Sequence, residues 1–148
     1  MTVIDLDSTW LSGCLALDQR ALGGFWTDAQ WRQELLDRHR LCLGLADRDQ
    51  LLAVACGWLV VDELQITVVA VDPQKRRLGL GSCLLLQLLR RAQGLGARRA
   101  TLEVSATNSG GMALYSKLGF ITAGRRSRYY SDGSDALIQW TELEQVMG

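Results

Sequence analysis

Apolar residues recur at helical spacing near the start of the chain and at strand spacing further on. Leu11, Leu15 and Leu22 would share one face of a helix over 11–22, which the glycine pair at 23–24 ends. The weaker alternation over 1–6 is typical of a short edge strand. The first elements are therefore predicted as a strand and then a helix.

A capping box begins the next predicted helix. Thr27 is a good N-cap and Gln30 stands three positions later, so a helix is expected over about 28–38. Its spacing predicts three residues that turn towards the core: Trp31, Leu35 and Leu36.

Three segments rich in leucine and β-branched residues predict consecutive strands joined by polar turns: 40–46, 51–61 and 64–71. In the third segment Leu64, Ile66 and Val68 would share one face. The alternation is lost from Val68 onwards, in the run VVAV, which indicates either burial on both faces or a bulge.

The second half of the chain continues as helix, strand, helix and hairpin. The predicted elements cover 79–93, 99–105, 108–118, 120–130 and 136–143, and glycines separate all of them except the second and third. The complete order is β-α-α-β-β-β-α-β-α-β-β. It predicts a single α/β domain over 1–148, with a mixed sheet and helices on both faces.

The composition argues against several classes of protein. Hydrophobic residues make up 48% of the chain, enough to fill one core, and the formal net charge of zero argues against nucleic-acid binding by bulk charge. The longest apolar runs are far below the ~18 residues that a membrane span needs. The first ten residues lack the pattern of a signal peptide. These features predict a cytoplasmic protein without nucleic-acid or membrane partners.

Cysteine and histidine usage argues against a metal site. The four cysteines form no C-x-x-C pair, and the only histidine is His39, in the charged stretch DRHR. We expect reduced, buried cysteines and neither zinc nor any other metal.

A basic turn with two glycines stands between a strand and a helix, in VVAVDPQKRRLGLGS over 68–82. Such a loop directs backbone N–H groups and a positive helix end at an anion. A P-loop is excluded because no Gly-Lys-Ser/Thr triplet occurs, and a dinucleotide fingerprint because Leu84 replaces its third glycine. What remains is Arg76-x-x-Gly79-x-Gly81, or a basic turn without a ligand.

This segment resembles the acetyl-CoA pyrophosphate loop of the GNAT acyltransferases, whose motif is Q/R-x-x-G-x-G/A. The resemblance implies the GNAT fold: a mixed, mostly antiparallel sheet of about seven strands, splayed at the acetyl-CoA cleft. It implies acetyl-CoA as donor, bound by the loop, by the strand before it and by one residue further on. The implied cofactor-binding residues are Val69, Ala70, Val71, Arg76, Arg77, Leu78, Gly79, Leu80, Gly81, Ser82 and Asn108.

A second segment, LEVSATNSGGMALYSKLGF over 102–120, resembles the RimI-type enzymes, whose pattern is L-E-V-R-x-x-N-x-x-A-x-x-L-Y-x-x-L-G-F. The similarity extends to QRALGGFWTDAQW upstream and RRSRYYSDGSDALI downstream. RimI-type enzymes acetylate the N-terminal alanine of a ribosomal protein in bacteria. The resemblance therefore implies transfer to a protein N-terminus, most simply that of a small-subunit ribosomal protein.

Two residues of this segment are candidates for acid–base catalysis. Glu103 alternates with apolar neighbours, so it is either a solvated strand carboxylate or, beside a cofactor cleft, a base. An α-amino group has a pKa of ~7.7–8.0 and needs only a weak base, acting directly or through water. The resemblance makes Tyr115 the acid that protonates the CoA thiolate; the alternative is a core tyrosine. Asn108 is also a plain N-cap candidate, and both of its roles can hold.

Departures from the family pattern concern the acceptor side. Ser105 stands where arginine is frequent, Gly110-Gly111 replaces helix formers, and Ser134 stands where glutamate is usual. The aromatic pair at 25–26 lies in the connection that borders the acceptor groove in these folds.

Two other functions stay open at this point: a broad N-terminal or small-amine acetyltransferase, and an acyl-CoA-binding module without turnover.

Overall fold

The structure is a computed structural model that describes residues 1–144. Within that range the elements follow the predicted order. The helices are α1 (Leu11–Leu22), α2 (Asp28–Leu36), α3 (Leu80–Gly94) and α4 (Ser109–Lys117). The strands are β1 (Thr2–Asp5), β2 (Arg40–Asp47), β3 (Gln50–Val60), β4 (Glu63–Val71), β5 (Arg99–Ser105), β6 (Ile121–Arg126) and β7 (Ala136–Glu142). The domain expected over 1–148 thus has its last four residues outside the described part.

The seven strands of the described range form one sheet in the order β1-β2-β3-β4-β5-β7-β6. Neighbouring strands are antiparallel except β4 and β5, which are parallel. The predicted mixed, mostly antiparallel sheet is confirmed, and β1 is the edge strand that the sequence indicated.

Two apolar clusters cover the two faces of the sheet. On one face Leu84, Leu85, Leu88 and Leu89 of α3 are buried against strand residues such as Leu64. On the other face α1 and α2 bury Cys14, Leu17 and Trp31 against β2, β3 and β4. The helices therefore lie on both faces, as predicted.

The helix ends follow local signals closely, but one inward face was predicted wrongly. α1 ends at Gly23, which adopts a left-handed φ of 71°, and the capping box of Thr27 and Gln30 begins α2 as predicted. α2 ends at Leu36, two residues before the prediction, and the Leu36 side chain is 68% exposed. The inward position is taken instead by Glu34, whose carboxylate contacts Arg40 (3.3 Å).

A bulge in β4 changes which residues share a face. Val68 pairs with Cys56 while Ile66 pairs with Gly57, so Thr67 has no partner of its own on β3. Leu64 and Ile66 consequently pack on the α3 side, whereas Val68 packs on the α1–α2 side. The expectation of one shared face was wrong for Val68, and the loss of alternation reflects both the bulge and burial on both faces.

Two further expectations need correction. The strand predicted over 120–130 ends at Arg126, because Asp135 accepts hydrogen bonds from Arg128 N (2.9 Å) and Arg125 Nη1 (2.7 Å) and so stabilises a loop. Three of the four cysteines are buried free thiols, but Cys83 lies exposed on α3. Within residues 1–144, no helix combines the length and apolar character that a membrane crossing needs.

Candidate active site

A buried carboxylate, that of Asp72, holds the start of the loop between β4 and α3. Asp72 accepts a hydrogen bond from Gln74 N (2.9 Å) and another from Arg20 Nη2 (3.2 Å) on α1. Further along, Arg77 and Gly79 both adopt left-handed φ values, of 68° and 76°. A left-handed non-glycine residue is uncommon, and alternating backbone conformations of this kind turn successive N–H groups towards a common centre. The loop thus has the backbone geometry that is typical of anion-binding turns.

A cleft of about 680 Å³ opens beside this loop, between β4, α3 and α4. It is lined by most of the residues that the sequence assigned to the cofactor: Val69, Ala70, Val71, Arg76, Arg77, Gly79, Leu80, Gly81, Ser82 and Asn108. Leu78 is outside the lining, and its side chain is 61% exposed. Lys75 and Lys117 also line the cleft and add positive charge. We call this the donor cleft, after the acetyl donor that the resemblance implies.

The two glycines of the loop serve different purposes. A Cβ at Gly81 would lie 3.3 Å from Val71 Cγ2 and 3.4 Å from Leu114 Cδ2, so this glycine lets α3 begin close to β4 and α4. At Gly79 the space is open, but the left-handed φ disfavours other residues. Gly79 thus allows an unusual backbone conformation on an open side of the loop, whereas Gly81 allows tight packing.

The sheet separates next to the donor cleft. β4 and β5 pair only over 63–65 and 99–101, and beyond these positions the two strands diverge. Residues 66–69 and 102–105 of the diverging strands line a second cleft, of about 410 Å³. The predicted splay is thus present. We call the second space the acceptor cleft, after the acceptor amine that the resemblance implies.

Glu103 projects into the acceptor cleft from β5. Its side chain is one-third exposed (33%), and its Oε1 atom lies 3.4 Å from Nε of Arg126 at the end of β6. Tyr130 faces the same cleft, and its pKa is raised by burial first and by the charge of Glu103 second. The carboxylate of Glu103 is thus partly accessible from the acceptor cleft, and one of its oxygens contacts Arg126.

Tyr115 and Asn108 line both clefts. Tyr115 is buried and stacks edge-on against Phe120 (centroids 5.8 Å apart). Burial, and then the charge of Tyr130, raises the pKa of Tyr115 to about 12, which keeps its hydroxyl protonated at neutral pH. Asn108 caps α4 through its side-chain oxygen, which accepts from Gly111 N (2.9 Å). The N-cap expected for Asn108 is confirmed, and the residue also faces the donor cleft.

The geometry agrees with the comparison to known proteins. A family model described as the acetyltransferase (GNAT) family matches residues 9–120. The chain belongs to the GNAT acetyltransferase family. It is therefore an acetyl-CoA-dependent acetyltransferase, as the resemblance to this family implied.

Among the relatives of this GNAT protein is the ribosomal protein bS18-alanine N-acetyltransferase of Escherichia coli (strain K12). It is 34% identical over 140 residues, which cover 93% of this chain and 94% of the relative. A crystal structure of the ribosomal-protein-S18-alanine N-acetyltransferase from Escherichia coli superposes with a TM-score of 0.89 at 32% identity, covering 96% of this chain and 93% of that chain. The Arabidopsis thaliana NAA60 complex with acetyl-CoA superposes equally well (TM-score 0.89, 97% and 98% coverage), but at 13% identity it shows the shared fold alone.

Two of the departures expected on the acceptor side, Ser105 and Ser134, lie together in the acceptor cleft. The expectation was wrong for the glycine pair at 110–111, which lines the donor cleft instead. Ser105 Oγ is 3.0 Å from Ser134 Oγ and 2.8 Å from Thr107 Oγ1, and Ser134 Oγ donates to Asp132 Oδ1 (2.6 Å). All four residues line the acceptor cleft. A wall of hydroxyl groups thus stands beside Glu103, where the family pattern would place longer charged side chains.

Sequence reasoning missed two residues that shape the clefts. Arg126 contacts Glu103 across the sheet, and no local pattern announces that pairing. Asp18 is a buried carboxylate on α1, and a signal for it existed: it falls on the helical face of Leu11, Leu15 and Leu22. A charged residue within an apolar face indicates a specific buried partner.

A buried group on the α1–α2 side has potential ligand atoms within 4.8 Å of one another, contributed by Glu34, Cys42 and Cys56. Its chemistry does not fit a metal. The Glu34 carboxylate already contacts Arg40 and accepts from Thr67 Oγ1 (3.1 Å). A hydrogen bond with Cys42, together with burial, raises the pKa of the Cys56 thiol well above its ordinary value, whereas metal ligation needs a thiolate.

Proposed function

We propose that this enzyme acetylates the N-terminal α-amino group of a protein, and that its acceptor is the N-terminal alanine of ribosomal protein bS18. The single observation that carries the proposal is the meeting of the two clefts at Tyr115, Asn108, Val69 and Leu22, which line both. A donor thioester and an acceptor amine can come into contact only where their spaces join. The similarity over nearly the full length to the enzyme named for bS18 supports the choice of acceptor.

The residues of the donor cleft fit acetyl-CoA. Backbone N–H groups around Gly79, with Arg76, Arg77 and Lys75, suit a pyrophosphate, and the unpaired edge of β4 at 69–71 suits an extended amide-bearing arm. Acetyl-CoA supplies the thioester carbonyl that the amine attacks. A backbone N–H of that edge would stabilise the oxyanion that develops on this carbonyl.

Glu103 and Tyr115 then handle the protons. Glu103 accepts the proton of the attacking amine, directly or through water, and Tyr115 donates to the departing sulfur. Only about a tenth of an α-amino group is neutral at pH 7, so a single partly exposed carboxylate is an adequate base. A lysine side chain, with a pKa of ~10.4, would demand far more deprotonation. The acid–base pair therefore suits a protein N-terminus better than a lysine.

The proposal is tested with a matched set of amines. One peptide begins with alanine and contains an internal lysine, a second has the same sequence with a blocked N-terminus, and the third substrate is a polyamine. We expect one acetyl group on the first peptide, located on residue 1 by fragmentation mass spectrometry, and none on the other two. Comparable rates on the polyamine would favour a small-amine enzyme. Binding of acetyl-CoA without turnover on any amine would favour a binding module.

A further inference from the structure

A buried carboxylate holds the connection between α1 and α2 against the acceptor cleft. Asp18 is 2% exposed and accepts three hydrogen bonds: from Phe25 N (2.6 Å), Trp26 N (2.9 Å) and Trp31 Nε1 (2.7 Å). Its backbone oxygen accepts two more, from the N–H groups of the glycine pair at 23–24. Hydrogen bonds to a charged acceptor are the stronger kind, so Asp18 fixes the backbone of this connection.

The connection needs such a tether. Gly23 and Gly24 both have left-handed φ values, of 71° and 89°, and glycine backbone is the most flexible available. Beyond them the Trp26 ring packs edge-on against Trp31, with centroids 4.8 Å apart. Asp18 therefore fixes the backbone of the connection where it leaves the core, and the Trp31 ring packs beside it.

What the tether positions is an exposed aromatic ring. The Phe25 side chain is 52% exposed and lines the acceptor cleft together with Leu22, Ile66 and Val68. The opposite wall carries Glu103 and the hydroxyl cluster of Ser105, Thr107 and Ser134. The cleft thus has one apolar wall and one polar wall.

We infer that Asp18 is a positioning residue for acceptor recognition: it fixes Phe25 so that the apolar wall contacts the first side chain of the acceptor while the amine faces Glu103. This inference rests on the proposed function. A charged first side chain would lose hydration against Phe25 and Leu22 without gaining a partner, so the acceptor class is a peptide whose first residue is small and uncharged.

Three variants test the inference. Phe25→Ala removes the exposed ring. Asp18→Asn keeps the shape, but its single amide oxygen leaves at least one of the three N–H donors unpaired. Trp31→Phe is the matched control, because it removes one donor to Asp18 and leaves the two backbone donors of the connection in place. Each variant is measured for the KM of an alanine-initiated peptide, the Kd of acetyl-CoA and the Tm.

Phe25→Ala and Asp18→Asn should each raise the peptide KM by about tenfold or more, with the acetyl-CoA Kd within about twofold of wild type. The peptide KM of the double variant should not exceed that of the more impaired single variant, because both changes remove the same wall. Trp31→Phe should lower the Tm and keep the peptide KM. A peptide with an N-terminal aspartate should be a poor substrate of the wild-type enzyme. Phe25→Ala should reduce its rate of acetylation less than that of the alanine peptide.

An unchanged peptide KM in Phe25→Ala overturns the inference, even if Asp18→Asn does not fold. The inference is also overturned if Asp18→Asn reduces the activity on the alanine and aspartate peptides equally and by as much as Trp31→Phe does. Asp18 would then have a structural role only. A wild-type protein that acetylates no peptide would overturn the proposed function itself. An active wild type with unaffected variants would overturn only the role of Asp18.

Discussion

Removal of the Tyr115 hydroxyl is the sharpest test of the chemistry at the junction of the two clefts. Tyr115→Phe deletes one oxygen from a residue that lines both clefts and keeps the ring, with its edge-on contact to Phe120. Packing and acetyl-CoA affinity should therefore survive. Any loss of turnover then reports on the hydroxyl alone.

The raised pKa of Tyr115 limits how large that loss can be. At about 12, the hydroxyl is fully protonated through neutral pH, but it is a weaker acid than an ordinary tyrosine. A thiol such as cysteine has a pKa of ~8.5, so complete transfer of the proton to the thiolate is uphill by roughly 3.5 pK units, or ~5 kcal/mol. The hydroxyl therefore acts mainly as a hydrogen-bond donor to developing negative charge, which contributes ~1.5–3 kcal/mol. We expect a loss of about 10- to 100-fold in kcat.

The assay compares two donors across a range of pH. With an acetyl thioester whose thiol is more acidic than CoA, less negative charge needs stabilisation, so the gap between wild type and Tyr115→Phe should narrow. In wild type, ionisation of Tyr115 should cause no decline in kcat near pH 10 and should act only as the pH approaches about 12. An equal deficit with both donors would refute the role of acid and leave Tyr115 as a packing residue.

The other predictions concern the base, the loop and the cap of α4. Glu103→Gln should lower kcat by ~10²-fold at neutral pH, and the loss should shrink as the pH rises and more amine is neutral; a loss that stayed constant in a pH series would indicate positioning instead. Gly79→Val should weaken acetyl-CoA binding more than tenfold, about 1.4 kcal/mol by calorimetry, because its φ of 76° disfavours any side chain, and an unchanged Kd would remove the loop from the site. Gly110→Ala should raise the free energy of unfolding by up to ~1 kcal/mol. Gly111→Ala should bring no such gain in denaturant titrations, since its Cβ would lie 2.6 Å from the capping amide of Asn108, and equal stabilisation by both would contradict the geometry of the cap.

The elements that the sequence predicted well are those set by short-range signals. Gly23 ends α1 and the Thr27–Gln30 capping box begins α2 where expected, because both act within a single turn. The wrong predictions concern residues whose burial depends on a partner far away in the sequence. Leu36 is exposed because Glu34 takes the inward position, and Glu34 can do so only with Arg40 of β2 and Thr67 of β4 beside it.

The candidate site divides in the same way. The loop around Gly79 and the N-cap at Asn108 depend on local sequence patterns, so both could be predicted from residue spacing. The contact between Glu103 and Arg126 joins β5 and β6, which are not even neighbours in the sheet, so no sequence spacing specifies it. The tether at Asp18 could be predicted in part. The sequence shows that Asp18 falls on an apolar helix face, but it does not specify the three N–H groups that donate to it.

The short pairing of β4 with β5 leaves an open strand edge in the middle of the sheet. Backbone amides along such an edge exchange readily with solvent, and they are a template for any extended chain that reaches them. A donor molecule lying along 69–71 would close the edge as an added strand would. Because it binds only the folded state, it would also raise the free energy of unfolding as its concentration rises. A rising concentration of acetyl-CoA would therefore protect this edge from pairing with other chains, whether or not the enzyme turns over.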